Sequence, residues 1–362
     1  MIRRLFIAMM FLLSSAGFAQ ESSPRPRPSE FAHTFSIVAR DPQTGEMGVA
    51  VQSHWFSVGS IVSWAEPGVG AVATQSFVDP SYGKLGLDLM RAGRSAPDTL
   101  LGLASADEGR DVRQVGIIDA QGRVAGYTGC NCVAEAGHRV GGTTAKTAFG
   151  AVKNGCAPTI ETGKDYSVQA NMMLNNKVPA AMAQAFEQTK GDLAERLMAA
   201  MEAAQAVGGD ARGRQSAALI VVKAQPSGKP WEDRRFDLRV DDHNDPLVEM
   251  RRLLTLARAY NHMNAGDKAV ELKNNEAALR EYSTAAQIAG ANKDIPTTRI
   301  AEMTYWHAQA LAQMGRVDES LPLFKKAFAM YPNWVIMTPR VAKAGLLPND
   351  PKILQRILDQ AK

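Results

Sequence analysis

Apolar runs separated by short polar turns dominate the first two thirds of the chain. Residues 35–41 (FSIVARD) and 46–53 (EMGVAVQS) are two such runs joined by a short turn, which predicts a β-hairpin. The runs at Ser60–Ala65 and Gly70–Ser76 continue the series of strands. Residues 113–129 (RQVGIIDAQGRVAGYTG) predict a second hairpin.

Helical spacing of apolar positions appears in four segments between and after these strands. The segments are Ser81–Ala92, Ala96–Ala104, Val178–Gln188 and Asp192–Ala206. Ser95, just before Ala96-Pro97, has the pattern of a helix N-cap. Residues 213–224 (GRQSAALIVVKA) and 234–242 (RRFDLRVDD) then predict two further strands. This order predicts an α+β domain with helices packed on sheet faces.

One long segment has no usable pattern. The stretch from His138 to Asp165 is rich in Gly, Thr and Lys and shows neither the strand nor the helix period. We therefore expect a long loop there.

From Asp245-Pro246 onward the strand pattern ends, and we expect helices to the C-terminus. Residues 259–294 and 301–334 resemble two copies of a tetratricopeptide repeat, which predicts an all-α region over 259–362. The residues that carry this resemblance are Gly266, Ala278, Tyr282 and Ala285 in the first copy, and Ala308, Gly315, Phe324 and Ala327 in the second. The small residues let helices approach closely, and the aromatic residue fills the groove to the next repeat.

Composition and charge narrow the possible partners. The chain has 362 residues, 45% of them apolar, which is typical of a globular protein of two or three domains and excludes wholesale disorder. Its formal net charge of +4 is small, and its Lys and Arg residues are spread along the chain. We therefore expect no nucleic-acid partner and no anionic membrane surface.

The N-terminus has the features of an export signal. Residues 1–19 (MIRRLFIAMMFLLSSAGFA) combine Arg3 and Arg4 with a short apolar run and small residues before Gln20. The run is shorter than the ~20 residues that a membrane span needs, so we expect cleavage and a soluble periplasmic or secreted protein. A retained N-terminal anchor is the alternative. Residues 20–33 then predict a proline-rich tether.

Three cysteines, Cys130, Cys132 and Cys156, would reach an oxidising compartment. Cys130 and Cys132 are too close in sequence for an easy mutual bridge, which favours a disulfide between Cys156 and one of them. A zinc site would need a fourth ligand, and His138 does not give the spacing of a common zinc finger. We expect neither a metal nor a cofactor.

Several blocks of residues carry a resemblance to a known family. They are residues 34–41 (TFSIVARD), 48–53 (GVAVQS), 67–75 (PGVGAVATQ), 113–116 (RQVG), 136–138 (AGH), 213–218 (GRQSAA) and 237–243 (DLRVDDH). Across these blocks the chain resembles the bacterial domain of unknown function 1028. The resemblance implies the fold of N-terminal-nucleophile (Ntn) hydrolases over residues 34–230, a four-layer αββα sandwich of two facing antiparallel sheets. Some relatives carry a trailing segment assigned to peptidoglycan binding, which residues 231–258 resemble.

The fold that this resemblance implies directs attention to Thr34. An Ntn enzyme uses the side chain of its first residue as nucleophile and that residue's α-amine, with a pKa near ~7.7–8.0, as base. Thr34 opens the first strand and is the candidate nucleophile. Cleavage before Gln20 would leave fourteen residues ahead of Thr34, so either a second cut or self-cleavage at His33–Thr34 must free the amine. The alternative is that Thr34 is an ordinary strand residue.

Polar residues near the strand ends are candidates for the rest of the site. The predicted catalytic set is Thr34, Ser36, Gln75 and Ser76, and the predicted substrate-binding set is Gln52, Ser53, His54, Arg113, Gln114, His138 and Asn171. The amides and hydroxyls could stabilise an oxyanion, and the guanidinium of Arg113 could hold a substrate carboxylate. The alternative is that the polar groups satisfy buried backbone and that Arg113 forms a structural ion pair.

Two functions follow from these observations. The first is an exported hydrolase of a small amide or peptide-like bond, with Thr34 as nucleophile. The alternative is a non-catalytic cell-envelope binding or scaffold protein that contacts peptidoglycan and recruits a protein partner through its helical repeats.

Overall fold

The computed structural model describes residues 31–32 and 34–362, so the predicted signal peptide and most of the predicted tether lie outside the described residues. The strands are β1 Phe31–Ala32, β2 Thr34–Arg40, β3 Met47–Ser53, β4 Ser63–Glu66, β5 Gly70–Phe77, β6 Arg113–Asp119, β7 Arg123–Thr128, β8 Gly137–Val140, β9 Ala145–Ala148, β10 Thr159–Lys164, β11 Tyr166–Ala170, β12 Ser216–Val222 and β13 Arg234–Val240. The helices are α1 Ser81–Arg91, α2 Ala96–Ala106, α3 Val178–Gln188, α4 Leu193–Ala206, α5 Pro246–Glu271, α6 Asn275–Ala291, α7 Thr297–Gln313, α8 Val317–Met330, α9 Asn333–Lys343 and α10 Pro351–Leu358. The predicted mixed α/β region followed by a helical region is confirmed.

The strands form two antiparallel sheets. Sheet A has the order β1-β5-β6-β7-β10-β9, with β4 also paired to β5. Sheet B has the order β13-β12-β3-β2-β11-β8. The predicted hairpins are β2–β3, which aligns Thr34 with Ser53, and β6–β7. Both hairpins are confirmed.

Alternating side chains divide the apolar residues among three layers of packing. Ile37 of β2 faces helices α3 and α4, whereas its neighbour Val38 faces sheet A. Ile117 of β6 faces helices α1 and α2, whereas its neighbour Ile118 faces sheet B. Because both sheets are covered on both faces, their central strands carry apolar residues on both faces over most of their length.

The predicted helices agree closely with the observed ones. Helix α3 has the predicted bounds, and α1, α2 and α4 differ from prediction by two residues or fewer at each end. The side chain of Ser95 accepts a hydrogen bond from the Asp98 amide at 3.1 Å, so it caps α2 as expected. Asp192, predicted as the first residue of α4, instead caps it by accepting from the Glu195 amide at 2.8 Å.

The prediction of a long loop over residues 138–165 was wrong. Strands β8, β9 and β10 lie within it, and β10 pairs with β7 on one side and β9 on the other. Strand β9 (AKTA) is exposed along its whole length, so it needs no apolar alternation and is held by backbone pairing. A strand of this kind leaves no periodic signal in the sequence.

A disulfide joins Cys130 to Cys156, as one of the two predicted pairings. The remaining thiol, Cys132, donates a hydrogen bond to the carbonyl oxygen of Arg113 at 3.3 Å. Burial raises the pKa of the Cys132 thiol to about 11, which keeps it protonated and unreactive near neutral pH.

Helix α5 connects the sandwich to the helical region. Its first half buries Leu247, Met250 and Leu254 against the core beneath α3 and α4, and its second half buries Ala259 and Met263 against the other helices. The expected boundary between residues 258 and 259 therefore lies inside a continuous helix. Residues 231–258, expected as a separate segment, supply the edge strand β13 and the first half of α5.

Ion pairs fasten α5 to α4. Arg251 contacts Glu195 at 2.6 Å and Glu202 at 2.7 Å, and Arg258 contacts Glu195 at 3.0 Å and Asp192 at 2.7 Å. Burial favours the neutral acid of Glu195, but the hydrogen bonds from both arginines hold its pKa below the usual range. The charges that link the two parts of the chain form a network rather than isolated pairs.

Small and aromatic residues fill the contacts within the helical region. All the residues singled out from the repeat pattern are buried except Gly315, which lies in the α7–α8 turn with a φ of +80°. The Tyr282 ring packs against Gly266, and its hydroxyl donates to Asp267 at 2.6 Å. None of the helices in the described part of the chain has the length and apolarity required to cross a membrane.

The Gly266–Tyr282 contact predicts that one added methyl group lowers the unfolding free energy. A Cβ atom at Gly266 would lie 2.7 Å from Cε1 of Tyr282, so Gly266→Ala must displace the ring. We expect a loss of about 1–3 kcal/mol in the unfolding free energy. Gly290→Ala in α6 is the control, because nothing lies within 4 Å of its Cβ position and alanine favours the helix by about 1 kcal/mol. Denaturant unfolding measures both; an equal gain at both positions would contradict the packing.

Candidate functional site

Polar residues replace apolar ones at one end of the space between the sheets. Thr34 opens β2 there, is aligned with Ser53 at the end of β3, and Ser53 is aligned with Ser216 at the start of β12. The amide of Asn171, which follows β11, donates to the carbonyl oxygen of Thr34 at 3.1 Å. All four residues are fully buried. The ends of four neighbouring segments of sheet B therefore form one polar wall of this space.

A continuous chain of side-chain hydrogen bonds runs through this interior. In order of donation its first six members are Ser167, Gln169, Ser36, Gln75, Gln114 and Thr128, and the Thr128 hydroxyl is hydrogen-bonded to the last member, His138. Its donor–acceptor distances lie between 2.6 Å, from Ser36 Oγ to Gln75 Oε1, and 2.9 Å. We call these seven residues the polar chain.

The His138 ring ends this series of hydrogen bonds. Gln114 Nε2 donates to Thr128 Oγ1 at 2.9 Å, and the Thr128 hydroxyl is hydrogen-bonded to His138 Nδ1 at 2.8 Å. Burial lowers the pKa of His138 to about 4, so the ring is neutral near pH 7. Its other nitrogen, Nε2, is buried and has no hydrogen-bond partner among the described residues.

Two glycines of sheet A make room for the side chains of sheet B. A Cβ at Gly116 would lie 2.3 Å from Oε1 of Gln169, and a Cβ at Gly126 would lie 2.6 Å from Cδ2 of His138. Neither distance is possible for a real side chain. The Gln169 amide and the His138 ring therefore fit between the sheets only because these positions have no side chain.

The polar chain also positions Thr34. Gln75 Nε2 donates to the Thr34 carbonyl oxygen at 3.0 Å and to Gln114 Oε1 at 2.7 Å, which uses both of its hydrogens. Asn171 Nδ2 donates to the same Gln114 oxygen at 2.9 Å. Gln75, predicted as an oxyanion donor, therefore has no hydrogen left for that role and acts as a positioning residue instead.

The network contains no formal charge. Its members are hydroxyls, carboxamides and one neutral imidazole, and the nearest charged pair that acts on His138 is Glu161 with Lys146. Burial without an opposite charge destabilises a cation, so an amine placed here would have a lowered pKa and would favour its free-base form.

The structure brings together some of the predicted site residues and separates others. Thr34, Ser36, Ser53, Gln75, Gln114, His138 and Asn171 share the space between the sheets. Gln52 is aligned with Phe35 and Ala217, so it faces the helices on the other side of sheet B, where its buried amide has no partner among the described residues. Strand alternation excludes it from the site that contains Thr34.

Ser76, Arg113 and His54 lie outside the polar chain. Ser76 has a φ of +73° and lies on the outer face of β5, aligned with Arg113. Arg113 is buried, pairs with Asp107 at 2.8 Å and donates to the Phe77 carbonyl oxygen at 2.7 Å, so it is a structural residue and is not available to a substrate carboxylate. The His54 side chain is at the surface, and its amide donates to Asp210 at 3.2 Å.

Sequence reasoning missed three members of the polar chain. Ser167 and Gln169 alternate on one face of β11, and Thr128 ends β7. The alternation of polar residues in an otherwise buried strand was the signal available for the first two. No group of three or more His, Cys, Asp or Glu side chains in the described ranges could hold a metal ion.

The comparisons with known proteins agree with this architecture. The chain matches the family described as "Family of unknown function (DUF1028)" over residues 34–149 and 142–250. No curated protein matches it. It is similar to the crystal structure of protein SPO2555 from Silicibacter pomeroyi, which is assigned to DUF1028: the two are 28% identical, with a TM-score of 0.51, over 62% of this chain and 86% of that one.

The fit of Gln169 over Gly116 predicts that Gly116→Ala breaks the polar chain. The added methyl must displace the Gln169 amide, which removes the acceptor of the Ser167 hydroxyl and one of the two partners of Ser36. We expect about 3 kcal/mol of destabilisation in denaturant unfolding. Gly102→Ala is the matched control, since its Cβ meets nothing within 4 Å on an exposed helix. Equal stability of the two variants would contradict the contact.

The lowered pKa of His138 predicts a loss of stability in mild acid. The unfolded chain takes up a proton near pH 6.5, whereas the folded His138 does so only near pH 4. The stabilisation is therefore complete above pH 6.5 and is lost as the pH falls toward 4, with about 2 kcal/mol lost between pH 7 and 5. The pH dependence of unfolding should weaken by that amount in His138→Asn. An imidazole NMR resonance that titrates near pH 6.5 in the folded protein would contradict this prediction.

Proposed function

The chain belongs to the DUF1028 family, and from that premise we propose that it is an exported amide hydrolase of the Ntn type whose nucleophile is the hydroxyl of Thr34. The observation that carries this proposal is the uncharged network of hydrogen bonds that converges on Thr34, the first residue of a buried strand. The two facing sheets, each covered by two helices, support the Ntn-like sandwich.

Thr34 acquires its chemistry in this proposal by hydrolysis of the His33–Thr34 bond. Water adds to the His33 carbonyl carbon, the carbon–nitrogen bond breaks, and the new α-amine remains on Thr34. The ordinary pKa of such an amine is ~7.7–8.0, and burial beside uncharged groups lowers it. The free amine then exists near neutral pH and can act as base.

The reaction with substrate follows in two steps. The amine takes the hydroxyl proton of Thr34 as the oxygen attacks the substrate carbonyl carbon, and the same proton passes to the departing amine. The resulting ester on Thr34 is hydrolysed by water, which returns the hydroxyl. Gln75 and Asn171 hold the Thr34 backbone in place throughout, since both donate to its carbonyl oxygen.

Substrate access requires release of the segment that precedes Thr34. Thr34 is fully buried, and Phe31 and Ala32 pair with Phe77 and Ser76 at the same end of the sandwich. Removal of this short strand would open the end of the space between the sheets. The predicted export signal and the proposed cut therefore belong to one maturation path.

We propose a tetratricopeptide-like arrangement for α5–α8 as well. The support is the burial of Ala278, Ala285, Ala308 and Ala327 at helix contacts. Contact of residues 231–258 with peptidoglycan is proposed on the resemblance alone; Trp231 is 78% exposed and is the natural residue to test for it.

Processing tests the hydrolase directly. Intact mass and N-terminal sequencing of the exported protein should give a chain that begins at Thr34, and that chain should hydrolyse members of a panel of aminoacyl p-nitroanilides. Thr34→Ala should abolish hydrolysis, because it removes the nucleophile. Thr143→Ala is the control, since Thr143 is exposed and its side chain has no partner among the described residues.

A chain that keeps residues ahead of Thr34 indefinitely would overturn this proposal. A processed chain with unchanged activity in Thr34→Ala would also overturn it. Either result would favour the non-catalytic binding or scaffold protein, with the helical region as its contact surface for a protein partner.

A further inference from the structure

A cavity lies at the opposite end of sheet B from Thr34. It has a volume of about 470 Å³ and is lined by residues of β8, β10, β11 and α3 and of the turn after β8. Along β11 it is placed at Tyr166, five residues or about 17 Å from Asn171. Its volume is within the range of small-molecule sites, roughly 300–1,000 Å³.

Two opposite charges, on Arg139 and Glu187, line this cavity without forming an ion pair with each other. The Arg139 guanidinium has no ion pair or hydrogen bond within the described part of the chain. Glu187 accepts a hydrogen bond from the Tyr166 hydroxyl but pairs with no cation there. A second carboxylate, Glu161, is neutralised by Lys146 at 2.5 Å. The cavity therefore offers one available cation and one available anion.

Tyr166 lies between these two charges. Burial raises the pKa of Tyr166, the bond to Glu187 raises it further, and the charge of Arg139 acts in the opposite direction. Both charges therefore act on the same hydroxyl, and no ion pair joins Arg139 to Glu187 within the described part of the chain. A ligand with a cation and an anion of its own would fill this gap.

Part of the lining is apolar. Ala180 and Ala183 of α3 and Val140 of β8 present small apolar groups. Small aliphatic groups of a ligand would pack against these residues.

We propose that this cavity binds a short peptide with free termini, of the size of a dipeptide with small aliphatic side chains. Arg139 receives its carboxylate through two parallel hydrogen bonds, and Glu187 receives its ammonium group. This site is independent of Thr34 and does not rest on the proposed hydrolase activity.

Calorimetric titration of the full chain with alanyl-alanine tests the proposal. We expect saturable binding, weakened at least tenfold when the dipeptide is N-acetylated and at least tenfold when it is C-amidated. Arg139→Gln and Glu187→Gln should each weaken binding at least tenfold. Ala180→Leu, which keeps a good helix former and adds bulk to the cavity wall without changing a charge, should also weaken binding.

Matched controls keep the result specific. Arg94→Gln and Glu108→Gln remove exposed charges outside the cavity and should bind as the natural chain does. Thr34→Ala should also bind normally, which separates this site from the proposed active site. Dissociation constants above about 10 mM, equal binding of the blocked dipeptides, unchanged binding in the cavity variants, or loss of binding in Thr34→Ala would each overturn the proposal.

Discussion

Carboxamides and hydroxyls can be buried between two sheets only if nearly all of them find partners, because each unpaired group costs about 1–3 kcal/mol. The polar chain from Ser167 to His138 meets this condition with a consistent direction of donation. Each amide uses its oxygen as acceptor and its nitrogen as donor. These hydrogen bonds also constrain the position of the two sheets relative to each other, because a shift of either sheet would break several of them together.

The need to bring these polar groups together also explains the positions of two glycines in sheet A. Gly116 and Gly126 lie opposite Gln169 and His138, and any larger residue would separate the sheets. Away from this end the interior is filled by branched apolar residues such as Val38, Val49 and Ile118. The inner layer is therefore divided into an apolar part that stabilises the fold and a polar part that positions Thr34. His138 Nε2, at the end of the polar chain, is buried and has no partner among the described residues.

The helical region is joined to this sandwich through one element. Helix α5 buries apolar residues in both parts, and Arg251 and Arg258 bind carboxylates of α4. A domain boundary placed from the sequence falls inside this helix. The sequence pattern changes from strand to helix at the start of α5, but the helix leaves the core of the sandwich and begins to pack on the other helices only half way along its length. Secondary structure and packing units need not end at the same residue.

The sequence by itself determined the hairpins, the first four helices and the burial of the repeat residues, because these depend on local period and on capping groups such as Ser95. The sequence also implied that Gln52 lies outside the site of Thr34. If Thr34 is aligned with Ser53, then Gln52, which precedes Ser53, faces the opposite side of the sheet. Only the tertiary structure decided which polar residues of β5, β6, β8 and β11 meet. Alternation assigns a side chain to one of two faces, but which face is covered by the other sheet depends on contacts between residues far apart in the chain. For the same reason, the ion pair between Arg113 and Asp107 could not be predicted from residue type, which had suggested Arg113 as a substrate ligand. The exposed strand β9 could be identified only from its pairing with β10.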